Sequence, residues 1–165
     1  MKTFEKVLGS VTEIMARVAQ VAIAVCVVYV VSDIVKRSSV GIPFPGVVET
    51  VELIAAVILS MGIGYLTFVR GHVAVDVLVM RLRPRRQAIF DLVNGAISLG
   101  FTILLTRALI RFGILNQMNS WVTGSLGIPR HPFIYTVGAA LALTCVVLIR
   151  DMVKAVIILK RGGEA

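Results

Sequence analysis

Residues 47–86 read VVETVELIAAVILSMGIGYLTFVRGHVAVDVLVMRLRPRR. Two carboxylates, Glu49 and Glu52, lead into an uncharged run from Leu53 to Val69, and Arg81, Arg83, Arg85 and Arg86 close the stretch. With its flanks the run reaches the roughly 20 apolar residues that a helix needs to cross the hydrocarbon core. The arginine cluster behind it marks the end that faces the cytoplasm.

The rest of the chain has the same character. Apolar residues make up 58% of 165 positions and the mean hydropathy is +0.93, which excludes a soluble core with a polar coat and describes an integral membrane protein. In a soluble chain a net charge of +8 would suggest nucleic acid. Here the basic residues flank apolar runs instead of lining a polar face, so they read as topology determinants and headgroup contacts, with no nucleic-acid partner. Cys26 and Cys145 lie in separate apolar runs with no C-x-x-C, which argues against a thiol oxidoreductase. Ala22-Ile23-Ala24 resembles a cleavage site, but apolar residues continue directly behind it, so an uncleaved first span is expected.

The expected fold is all-α, with four membrane spans at about 14–35, 47–69, 87–111 and 132–150 in a single domain over 1–165, and with an arm at 70–86. Residues 1–13 place Phe4, Val7, Leu8 and Val11 at three-to-four spacing, which suits either a short amphipathic helix at the interface or an extension of the first span. Lys36 to Gly46 is rich in turn formers and is expected to end the helix, Gly113 to Trp121 is read as a polar connection, and Trp121 as an interface anchor. If both termini are cytoplasmic, twelve basic residues lie inside and five outside, so that orientation is expected.

Small residues recur along single faces. Glu52, Ala56, Ser60 and Gly64 repeat every four positions in the second span. Asp91, Gly95, Ser98, Thr102 and Thr106 form a small, polar stripe in the third, and Gly138 and Ala142 a shorter one in the fourth. Such faces let helix backbones approach closely and are expected to pack against helices, within the chain or in a partner. A permeation path for a charged solute would need ionisable groups at mid-depth, and no span centre carries one. Glu49 and Glu52 are read as interfacial groups pairing with Lys36, Arg37, Arg107, Arg111 or a partner's basic residue. Arg107 and Arg111 either snorkel to headgroups or, with Arg130, form a positive rim for an acidic soluble partner. His72 and His131 both fall in loops, so a haem subunit, which needs histidines inside its spans, is excluded, and His72 with Asp76 makes too few ligands for a metal site. No cofactor, metal or catalytic residue is expected.

The order of these pieces resembles a known family. The glutamate-rich entry to the second span, GIGYLTFVRGHVAVDVL from Gly62 to Leu78 with Arg70, Gly71, His72 and Asp76, and SLGIPRHPFIYTVG from Ser125 to Gly138 look like the small membrane subunit of tripartite ATP-independent periplasmic (TRAP) transporters. The resemblance covers nearly the whole chain, although none of its motifs is a catalytic signature. It implies a bacterial inner-membrane protein that works with a large elevator-type subunit holding the substrate and sodium sites, and with a periplasmic binding protein that delivers a carboxylate or sulfonate. The small subunit's part would be non-catalytic: to enlarge the static scaffold and help dock the binding protein. The large subunit is expected to be a separate chain. The competing readings are a stand-alone four-span carrier, for which the first span lacks the membrane-embedded glutamate of drug/proton exchangers, and a structural membrane protein.

Overall fold

The computed structural model describes residues 2–69 and 84–161. The described residues form four long helices: α1 (Lys2–Val40), α2 (Val47–Phe68), α3 (Pro84–Met118) and α4 (His131–Arg161). Each is long and apolar enough to cross a membrane.

Their lengths differ in an informative way. With 22 residues α2 is about 33 Å long at 1.5 Å per residue, close to the thickness of a hydrocarbon core. With 39, 35 and 31 residues, α1, α3 and α4 exceed it by wide margins. Residues 2–13 are therefore not a separate interfacial helix but the first three turns of α1. The expectation that Lys36 to Gly46 ends the helix is corrected at its start. Ser38, Ser39 and Val40 stay helical, and the chain leaves the helix only at Gly41, where φ is +75°. Gly113 likewise fails to stop α3, which runs on through Ile114, Leu115 and Met118. A side chain there would collide with α4, because a Cβ on Gly113 would stand 2.8 Å from Cε1 of Tyr135. Its glycine serves close helix approach and does not act as a breaker.

The helices do not close into a bundle. The main packing runs α1 on α2, α2 on α4 and α4 on α3, so the spatial order is α1–α2–α4–α3. The buried side chains mark these seams. Leu8, Thr12 and Ala19 are buried on α1, Ser60 and Thr67 on α2, and Ala140, Leu141, Thr144 and Val147 on α4. Along the most apolar stretch of α3 no residue is buried, and burial on this helix comes near its end, at Gly113 and Asn116. Glycines bring the seams together: Gly9 faces Phe68, Gly64 faces Thr144, Gly95 faces Met152 and Gly138 faces Ile110.

Candidate functional site

One end of the layer gathers the α1–α2 and α3–α4 connections. The first is pinned by Asp33, buried on α1, whose Oδ1 accepts a 2.7 Å hydrogen bond from the backbone N–H of Phe44. Its other oxygen lies 3.6 Å from Arg37. The Phe44 ring stacks on Tyr29 and carries the Lys36 ammonium 4.0 Å from its centre. Lys36 and Arg37 are thus engaged on α1 and its own loop, and neither pairs with Glu49 among the described residues.

Glu49 is used differently. It stands in the first turn of α2, where the helix N-terminus favours a negative charge. From there it reaches across to the α3–α4 connection. Its Oε1 accepts from the N–H of Gly124 at 3.1 Å, and its Oε2 from the N–H of Ser125 at 3.1 Å. Behind it Gly46, at φ +70°, turns the chain into α2 with Leu126 packed so close that a Cβ would meet its Cγ at 2.6 Å. The connection itself is a compact hairpin in which Thr123 bonds Ile128 through backbone and hydroxyl and Arg130 donates to the Trp121 carbonyl. Thr123 is buried, whereas Trp121, Val122 and Arg130 are exposed. Glu52, one turn below Glu49, is exposed and makes no hydrogen bond or ion pair among the described residues.

The opposite end holds a second cluster. Glu5 on α1 lies between Lys154 and Arg150 of α4, with a carboxylate oxygen 3.5 Å from the latter. Arg150 also reaches Asp151 at 3.3 Å and lies 4.5 Å over the Phe68 ring. Glu5 precedes the uncharged part of α1 by about a dozen residues. This tether, which joins the first helix to the last, left no signal in the sequence.

Between the two ends α2 and α3 stand apart. Both rest on α4 and leave an open cleft of ≈ 580 Å³ floored by Leu141, Thr144 and Leu148. The polar stripe of α3 turns into it: Asp91, Gly95, Ser98 and Thr102 line one wall, while Ile63 and Thr67 line the other. The hydroxyls of Thr67, Thr102, Thr106 and Thr144 each donate to a carbonyl one turn back on their own helix, at 2.7–3.0 Å. They are therefore satisfied without a partner helix and present small, smooth surface.

The remaining singled-out residues divide. On α2, Ser60 and Gly64 are buried at the α4 seam while Glu52 and Ala56 are exposed. On α4, Gly138 is buried and Ala142 exposed. Arg107 and Arg111 are exposed on α3 about three and two turns before its end, not beside Arg130 in the hairpin. Arg70, Gly71, His72 and Asp76 lie outside the described residues.

The family model for the DctQ component of tripartite ATP-independent periplasmic transporters matches residues 23–157. Comparison with curated proteins found no match, and neither did comparison with solved structures. The matched region takes in α1 from Ile23 onward, all of α2 and α3, and α4 as far as Ile157. A match of that extent, on four helices able to span a membrane, settles the assignment: the chain belongs to the DctQ family and is a multi-pass membrane component of a TRAP transporter.

Proposed function

We propose that this chain is the non-catalytic scaffold subunit of a sodium-coupled TRAP transporter in a bacterial inner membrane. It packs against the large subunit that moves an organic acid, a carboxylate or sulfonate. Both termini lie in the cytoplasm, so the Glu49-pinned hairpin faces the periplasm and helps dock the substrate-binding protein. Sodium and substrate are held by the large subunit.

The observation that carries this reading is the open helix layer. A self-sufficient carrier encloses its substrate between repeats that rock against each other. Here the main packing follows a single row of seams, and the open cleft between α2 and α3 is walled by a polar stripe. Polar, small surfaces of that kind are covered by other helices and not by lipid chains.

The test is copurification and uptake. When the chain is coexpressed with a large TRAP subunit and a binding protein from the same genome, the two membrane chains should purify together. Sodium-dependent uptake in proteoliposomes should require all three. Sodium-driven uptake by this chain alone would refute the scaffold role.

A further inference from the structure

The close contacts fix which residues of different helices stand at one level along the layer. Gly9 against Phe68, with Asp33 bonded to Phe44 at the other end, sets α1 antiparallel to α2, and Gly64 against Thr144 sets α2 alongside α4. Gly138 against Ile110 and Gly95 against Met152 set α3 antiparallel to α4. Followed residue by residue, one level joins Arg17, Ser60, Ala140 and Arg107. It crosses the middle of the uncharged run of α2, yet it passes through exposed arginines on α1 and α3.

The uncharged runs are staggered in the same sense. Those of α2 (53–69) and α4 (132–149) coincide. That of α1 (18–32) is displaced toward the Glu49 end by about 13 Å, and that of α3 (92–106) toward the Glu5 end by about 11 Å, at 1.5 Å per residue. A bilayer cut square across the helices would hold Arg17, Arg107 and Arg111 near mid-depth with their side chains toward lipid, the most costly place for a charge. It would also push apolar turns of α1 and α3 into water.

An oblique cut removes both penalties. Three interaxial steps of 8–10 Å separate α1 from α3 by at most about 30 Å. With roughly 5 Å of arginine snorkelling at each side, about 15 Å of stagger remains to be taken up by inclination. We infer that the layer crosses the bilayer inclined by on the order of 30° along its own row, so that Arg17 with Glu13, and Arg107 with Arg111, are headgroup-contacting surfaces on opposite leaflets. The partner each surface fits is the phosphate layer of a phospholipid leaflet. Arg17 is 2.6 Å from Glu13 on an exposed face, a pairing suited to an interface and unsuited to hydrocarbon. At this inclination α2 rises about 29 Å, still matched to the core. The excess length of α1 and α3 is then accounted for, because each continues as a helix through and beyond its interface.

Spin labels decide between the two cuts. The full chain, with Cys26 and Cys145 replaced by alanine, is labelled singly at I14C, V25C, I97C and A108C and reconstituted into phosphatidylcholine–phosphatidylglycerol vesicles. Depth is read from relative accessibility to oxygen and to a nickel chelate. All four sites are exposed, so labels point to lipid or water. The inclined layer places Val25 deeper than Ile14 on α1, and Ile97 deeper than Ala108 on α3, by several Å each. A square cut gives the reverse order on both helices. Equal depths or the reverse order overturn the inference, whatever the outcome for scaffold function. Where V25C or I97C does not yield folded protein, V28C and F101C, one turn along, carry the same expectation.

Discussion

Glu49 shows what a single carboxylate does when it sits at a helix N-terminus and also opposite two free backbone amides. Its charge is stabilised by the first turn of α2, and its oxygens hold Gly124 and Ser125, some 75 residues away in sequence. Replacing it by glutamine keeps the shape, removes the charge and puts a donor where one acceptor was. The exposed setting keeps the cost small, about 1–2 kcal/mol, near the lower limit for charged hydrogen bonds. E49Q should therefore lower the thermal unfolding temperature by a few degrees in detergent and open residues 119–130 to limited proteolysis, with helix content by circular dichroism unchanged. An unaltered cleavage pattern would show that the hairpin holds itself through Thr123 and Ile128. The sequence made Glu49 visible as an interfacial group and suggested basic partners for it. It could not show that Lys36 and Arg37 were already occupied by Phe44 and Asp33, because that depends on α1 running one turn further than its turn-forming residues suggest.

At the scale of helices, apolar runs bounded by charges were enough to locate all four elements, and the second of them is the helix Val47–Phe68. Helix ends were less legible, because a glycine can mark a stop or a close contact and the sequence does not say which. Gly62 and Gly113 make the distinction measurable. Around Gly62 an added Cβ meets nothing within 4 Å, so G62A should gain the helix propensity of alanine, about 0.5–1 kcal/mol. At Gly113 the same methyl would press on Tyr135 and Ile134, at 2.8 and 3.3 Å, and G113A should lose about 1–3 kcal/mol through overpacking at the α3–α4 seam. Thermal unfolding of the two variants should move in opposite directions. If G113A were as stable as G62A, the helices would have room to part, and the seam would not be set by that glycine.

At the scale of the whole molecule, the order α1–α2–α4–α3 and the stagger of the apolar runs come from interhelical register, which no single run of sequence contains. That is why the sequence could offer the polar stripe of α3 as a packing surface without placing it on the wall of an open cleft shared with α2. The same register changes the place of Arg107 and Arg111. They lie on a helix that continues toward the hairpin for two to three more turns, below Trp121 and Arg130, so a docking rim built from all three arginines would extend down the side of α3. Rim charges act mainly on encounter rate and are screened by salt. If these two steer an acidic binding protein, R107E/R111E should lower uptake several-fold at limiting binding protein and low ionic strength. The loss should shrink as binding protein or salt is raised, and the membrane subunits should still purify together. A loss that persists at saturating binding protein would instead place both arginines in the seam with the large subunit. Unchanged uptake across the whole titration would remove them from docking and leave the hairpin, with Arg130 and Trp121, as the surface to probe.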